Sequence, residues 1–107
     1  SMEERMEFIQ VSTAFEKKED AGRLAGILLE KRLAACVQIM AVESLYRWKG
    51  RIEKASEYLC VIKTRKSLYG EIESEIIRNH PYEIPEIAAL PICAGSPGYL
   101  GWIEDET

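Results

Sequence analysis

Residues 34–64 read AACVQIMAVESLYRWKGRIEKASEYLCVIKT. Two β-rich runs, 34–48 and 51–64, flank Lys49-Gly50, a dipeptide suited to a tight hairpin turn. In the second run Tyr58, Cys60 and Ile62 alternate with Leu59, Val61 and Lys63. Both faces are apolar near its middle, so both are expected to be buried there. The first run, at about 15 residues, spans ~50 Å when extended, against about 5–6 residues for an average strand. A domain of this length has a radius of gyration near ~13 Å and is roughly 35 Å across. The hairpin is therefore expected to project beyond its own domain and to carry Leu45, Tyr46, Trp48 and Ile52 with it. An exposed aromatic hairpin with open edges invites pairing, and the simplest partner is another copy of the chain. Self-association by strand pairing across subunits is the expectation.

The flanking segments supply the rest of the fold. Residues 6–13, MEFIQVST, are rich in β-formers and read as a first strand. Ala21, Leu24, Ala25 and Leu28 recur at helical spacing, which predicts a helix over 17–32. Thr13 with Glu16 resembles a capping box for it. Gly22 and Gly26 share a face, and close packing against the sheet is the expected compensation for their low helix propensity. Leu68, Ile72 and Ile76 predict a second helix over 66–78, stopped near Asn79-His80 because Pro81 disfavours a helical conformation at His80. Residues 87–92, IAALPI, read as a fourth strand, with Pro91 demanding an edge or a bulge. Ser96-Pro97 is a good start for a short closing helix. The order β-α-β-β-α-β is that of a ferredoxin-like α+β sandwich. It has a long β2–β3 hairpin and a short C-terminal helix, in one domain over residues 1–107.

Composition narrows the function classes. The formal net charge of −4 is a poor match to phosphate-dominated nucleic-acid binding. No apolar run reaches the ~20 residues of a membrane helix. The N-terminus SMEERMEF lacks a secretory pattern, Ser1 before Met2 reads as an expression scar, and residues 1–5 are expected to be disordered. Cys36, Cys60 and Cys93 are three widely spaced thiols in apolar contexts, expected to be buried and reduced in a cytoplasmic protein.

The chemistry-bearing stretch is NHPYEIPEIAALPI, residues 79–92, which holds the single histidine, His80, beside Tyr82, Glu83 and Glu86. A histidine near carboxylates suits metal binding or acid–base work, and equally suits a helix stop. His80, Glu83, Glu86 and Tyr82 with Lys63, Tyr46 and Trp48 are candidates for an inter-subunit pocket for a small anion or metabolite. No P-loop, nucleophile elbow, GxGxxG or HExxH is present, so the chain is not expected to be an enzyme.

Taken in order, EKRLAACVQI (30–39), SLYRWKGRIE (44–53), YLCVIKT (58–64), HPYEIPEIAALPI (80–92) and GYLGWI (98–103) resemble the CutA family, the divalent-cation-tolerance proteins. The resemblance runs from residue 8 to 103 and implies a ferredoxin-like subunit of a stable homotrimer, similar in architecture to PII signalling proteins. It also implies a role in tolerance to divalent metals, copper above all. The copper ligands proposed for bacterial members are a cysteine at the end of the first strand and two consecutive histidines before Pro-Tyr. Ser12 stands where that cysteine would be, and the histidine pair is Asn79-His80, so only His80 is retained. A copper or zinc site wants three or four suitable donors. His80 would need symmetry-related copies, or Glu83, Glu86 or Cys36, to complete one. A PII-like small-molecule sensor or scaffold is the alternative.

Overall fold

The computed structural model describes residues 6–107, so the expectations placed on residues 1–5 fall outside it. β1 is Phe8–Phe15, α1 is Lys18–Glu30, β2 is Cys36–Trp48 and β3 is Arg51–Arg65. A short 3-10 turn, Lys66–Leu68, leads into α2, Tyr69–Asn79; β4 is Ala88–Pro91 and α3 is Pro97–Glu106. The sheet is antiparallel throughout, in the order β2-β3-β1-β4. This is the ferredoxin-like α+β arrangement. β4 is an edge strand, which accommodates Pro91 opposite Ile9.

Strand alternation sorts the side chains. Ile9, Val11 and Phe15 of β1, Cys60 and Ile62 of β3, and Val37 and Ile39 of β2 share one face. They pack with Ala21, Leu24 and Leu28 of α1 and Ile72 and Ile76 of α2 into a single cluster. Burying each large aliphatic or aromatic side chain contributes roughly 1.5–3 kcal/mol. The other face carries Gln10, Ser12, Ala14, Gln38, Met40, Val42, Glu57, Leu59, Val61 and Lys63. There α3 covers one end, where Lys63 Nζ lies 5.7 Å from the Tyr99 ring centre and Arg65 bonds Thr107. The expected burial of both faces in mid-β3 holds for Cys60, Ile62 and Val61, while Leu59 is half-buried.

Several local expectations are corrected. Thr13 is a residue of β1 and caps nothing; α1 starts after Lys17, with no side-chain cap. The helix ends at Glu30 because Arg32 takes a left-handed conformation (φ 56°) and the Leu33 amide returns to the Leu28 carbonyl. That closure normally recruits glycine. Gly22 and Gly26 are exposed rather than packed on the sheet, because Ala21, Leu24, Ala25 and Leu28 take the inward face. Of the thiols, only Cys60 is buried; Cys36 is half-buried and Cys93, beyond the end of β4, is exposed.

The hairpin projects as expected. β1 pairs with β3 only as far as Phe15↔Tyr58. From Val42↔Glu57 to Trp48↔Arg51 the two strands have only each other, a ribbon about 20 Å long. Lys49 (φ 49°) and Gly50 (φ 77°) close it in the left-handed pair that matches strand twist. Leu45 and Ile52 remain 66% and 71% exposed on this ribbon. The chain measures 49 × 25 × 22 Å.

Leu24→Ala in the fully buried core is expected to cost about 2–5 kcal/mol, read by denaturant unfolding. Gly50→Val, which forces a β-branched side chain into positive φ, is expected to cost about 1–3 kcal/mol in the same assay.

Candidate functional site

Pro81 ends α2 by holding His80 extended (φ −98°, ψ 131°), so the chain turns away from the helix just as it reaches the end of β1. The His80 ring stacks on Phe15, with centres 4.1 Å apart and an angle of 11° between planes. Tyr82 tilts against its other side at 4.7 Å. His80 Nε2 lies 2.7 Å from the Ala14 carbonyl oxygen, and the Tyr82 amide donates to Nδ1 at 3.2 Å. A carbonyl only accepts, so Nε2 carries the proton and Nδ1 is the acceptor. His80 is therefore a neutral imidazole with both nitrogens engaged, and it fastens the segment after α2 to the last residues of β1.

Tyr82 extends the chain of contacts across the sheet. Its hydroxyl donates to Glu57 Oε2 at 2.8 Å. Glu57 is 8% exposed, on the face turned away from α1 and α2. Burial first, then the hydrogen bond to Glu57 and the charges of Glu57 and Glu16, raise the Tyr82 phenol well above its ordinary value. Tyr46 at the ribbon acts in the same direction. Tyr82 thus stays a proton donor to Glu57. Glu57 escaped the sequence reading; the signal was a carboxylate breaking the apolar alternation just before Tyr58-Leu59-Cys60-Val61-Ile62.

The other candidates are dispersed. Asn79 turns back to α2, donating to the Glu75 carbonyl at 2.8 Å and to its carboxylate at 3.2 Å. Lys31 and Arg78 bind the same carboxylate and hold it below its usual value, Lys31 most strongly. Ser12 lies in mid-β1 between Val61 and Ala88. Glu83 and Glu86 are exposed on the loop after Tyr82. Trp48 sits at the ribbon tip under Lys49, and Lys63 lies at the far end of β3 over Tyr99. One chain does not gather the proposed pocket: Lys63 stands near the end of β3 opposite Cys36, and Trp48, paired with Arg51, lies at the hairpin tip. Among the described residues, no three His, Cys, Asp or Glu side chains gather as a metal-holding group. A metal at His80 has to displace the Tyr82 amide from Nδ1, or a proton and the Ala14 carbonyl from Nε2. Among the described residues of one chain, the donors gathered at His80 fall short of the three or four that a tight copper or zinc site wants.

Burial lowers the His80 pKa from its ordinary 6.5, against opposing contributions from the Ala14 bond, Asp20 and Glu57. The unfolded chain then binds the proton more readily than the folded one. The stability contributed by neutral His80 is complete above 6.5 and falls as pH drops below it. Thermal unfolding from pH 7.5 to 5.5 is expected to show this loss in the wild type and a flatter profile in His80→Gln. Tyr82→Phe leaves buried Glu57 without its donor and is expected to cost about 1–3 kcal/mol at pH 7.

The model of the CutA1 divalent ion tolerance protein family matches residues 9–106. Protein CutA of Arabidopsis thaliana chloroplasts is 40% identical over 100 residues, covering 92% of this chain and 55% of the plant protein. The divalent-cation tolerance protein CutA of Archaeoglobus fulgidus is 42% identical over 87 residues, covering 81% of this chain and 85% of its own length. The chain thus spans about half the length of the plant relatives it matches. Among solved structures, CutA1 from Oryza sativa superposes with a TM-score of 0.91 at 40% identity, covering 94% of both chains. The periplasmic divalent cation tolerance protein CutA from Archaeoglobus fulgidus gives 0.90 at 37% identity, covering 92% of this chain and 97% of that one. A shared βαββαβ sheet, a match running through ribbon, Tyr82 and α3, and identities of this size make the chain a member of the CutA1 divalent ion tolerance family.

Proposed function

We propose that the chain is the subunit of a homotrimer acting in divalent-cation tolerance, with weak affinity for copper and no enzymatic activity. The observation that carries the assembly is the ribbon, with Leu45, Tyr46 and Ile52 exposed on two strands that pair only with each other among the described residues. An isolated two-stranded hairpin is marginal in water, and open apolar strands recruit a partner strand. The family supports the link to divalent cations. Retention of His80 supports copper as the ion, and its two satisfied ring nitrogens support weak rather than tight binding. The three free cysteines favour a reducing cytoplasm, although an archaeal relative is described as periplasmic.

Light scattering at micromolar concentration is expected to return three times the chain mass; the mass of a single chain ends the trimer reading. Copper titrated calorimetrically into the protein is expected to bind weakly, and His80→Ala to weaken it further by about tenfold, or ~1.4 kcal/mol. Equal affinity in the variant removes His80 from the site. Native mass spectrometry of protein purified without chelator separates the two functional classes. Excess copper per trimer supports metal handling, and a bound organic mass supports a PII-like sensor.

A further inference from the structure

Among the described residues two glutamates are buried, and their surroundings differ. Glu75 is 6% exposed and holds two cations, Lys31 and Arg78. Glu57 is 8% exposed, and among the described residues no lysine or arginine stands within ion-pair distance of it. Its one hydrogen-bond partner there is the Tyr82 hydroxyl. A carboxylate removed from water with a single neutral donor is costly, and buried charges are normally paired.

The cations on the same sheet face are few. Alternation puts Arg51, Lys63 and Arg65 of β3 on the Glu57 face, while the residues of β1 and β2 on that face include no lysine or arginine. Arg65 is committed to Thr107, and Lys63 lies over Tyr99. Arg51 is exposed at the ribbon tip and forms no ion pair among the described residues. Along the extended strand, Arg51 and Glu57 of one chain are about 20 Å apart, beyond the reach of one side chain.

We infer that Glu57, with Tyr82, is a receptor for the guanidinium of Arg51 from the ribbon of a second copy of this chain. A guanidinium fits it better than an ammonium. Its planar fork matches a carboxylate edge, and its face stacks on tyrosine. The contact joins two different surfaces, the ribbon tip of one copy and the ribbon base of the next. Such a head-to-tail contact closes a ring when the rotation allows it, as a trimer requires. The inference rests on the trimer reading above and adds to it the residue each copy lends its neighbour.

The test is a double-mutant cycle on the oligomer, with Glu57→Gln, Arg51→Gln and the double variant compared by thermal midpoint, and mass measured by native mass spectrometry. Each single variant is expected to lower the midpoint. The double variant is expected to fall no further than the more damaged single one. Arg47→Gln, on the opposite face of the ribbon, is expected to add independently to Glu57→Gln. Additive losses for Glu57 and Arg51, or an Arg51→Gln midpoint equal to wild type, overturn the pairing. If Glu57→Gln does not fold, the cycle is run with Glu57→Asp under the same criteria. A wild-type trimer with an additive cycle removes the pairing alone. A wild-type monomer removes the trimer reading and the pairing with it.

Discussion

The structure turns on a mismatch of lengths. β2 and β3 run for 13 and 15 residues, whereas β1, which joins them to the rest of the sheet, has only 8. Two helices cover one face of the shared region, and among the described residues no further strand pairs with the ribbon beyond Phe15↔Tyr58. Leu45, Tyr46 and Ile52 on that ribbon stay exposed in the chain. The same mismatch fixes where chemistry is possible, because the end of β1, the end of α2 and the base of the ribbon meet at one end of the sheet.

His80 makes sense at that junction as a fastener. Its ring is held by a stack, an acceptor carbonyl and a donor amide, all from within the chain. These contacts aim Tyr82 across the sheet end onto Glu57. The histidine thereby sets the position of a phenol and a carboxylate at the base of the ribbon. A residue type that commonly ligates metals acts here first as an architectural group, with metal chemistry available only at the expense of those bonds.

The functional reading follows from this division of labour. Metal donors are sparse within one chain: Ser12 supplies a weak oxygen, Asn79 is spent on Glu75, and His80 is doubly bonded. The better-organised feature is a partly solvated sheet face with a buried carboxylate and an aromatic ribbon.

Hydrophobic period and turn chemistry determined the element order, the ferredoxin-like topology and the overlong hairpin, because these depend on near neighbours along the chain. Pro81 likewise announced the end of α2, through local steric exclusion. Finer boundaries escaped. The stop of α1 depends on a left-handed Arg32, the exposure of Cys93 on where β4 ends, and the exposure of Gly22 and Gly26 on which helix face meets the sheet. The tertiary structure alone decided the role of His80 and revealed Glu57. Ala14 and His80, or Tyr82 and Glu57, lie far apart in sequence and meet only after the sheet forms. Hydrogen-bond satisfaction and burial are properties of that meeting, so a lone histidine in sequence looks the same whether its nitrogens are free or taken.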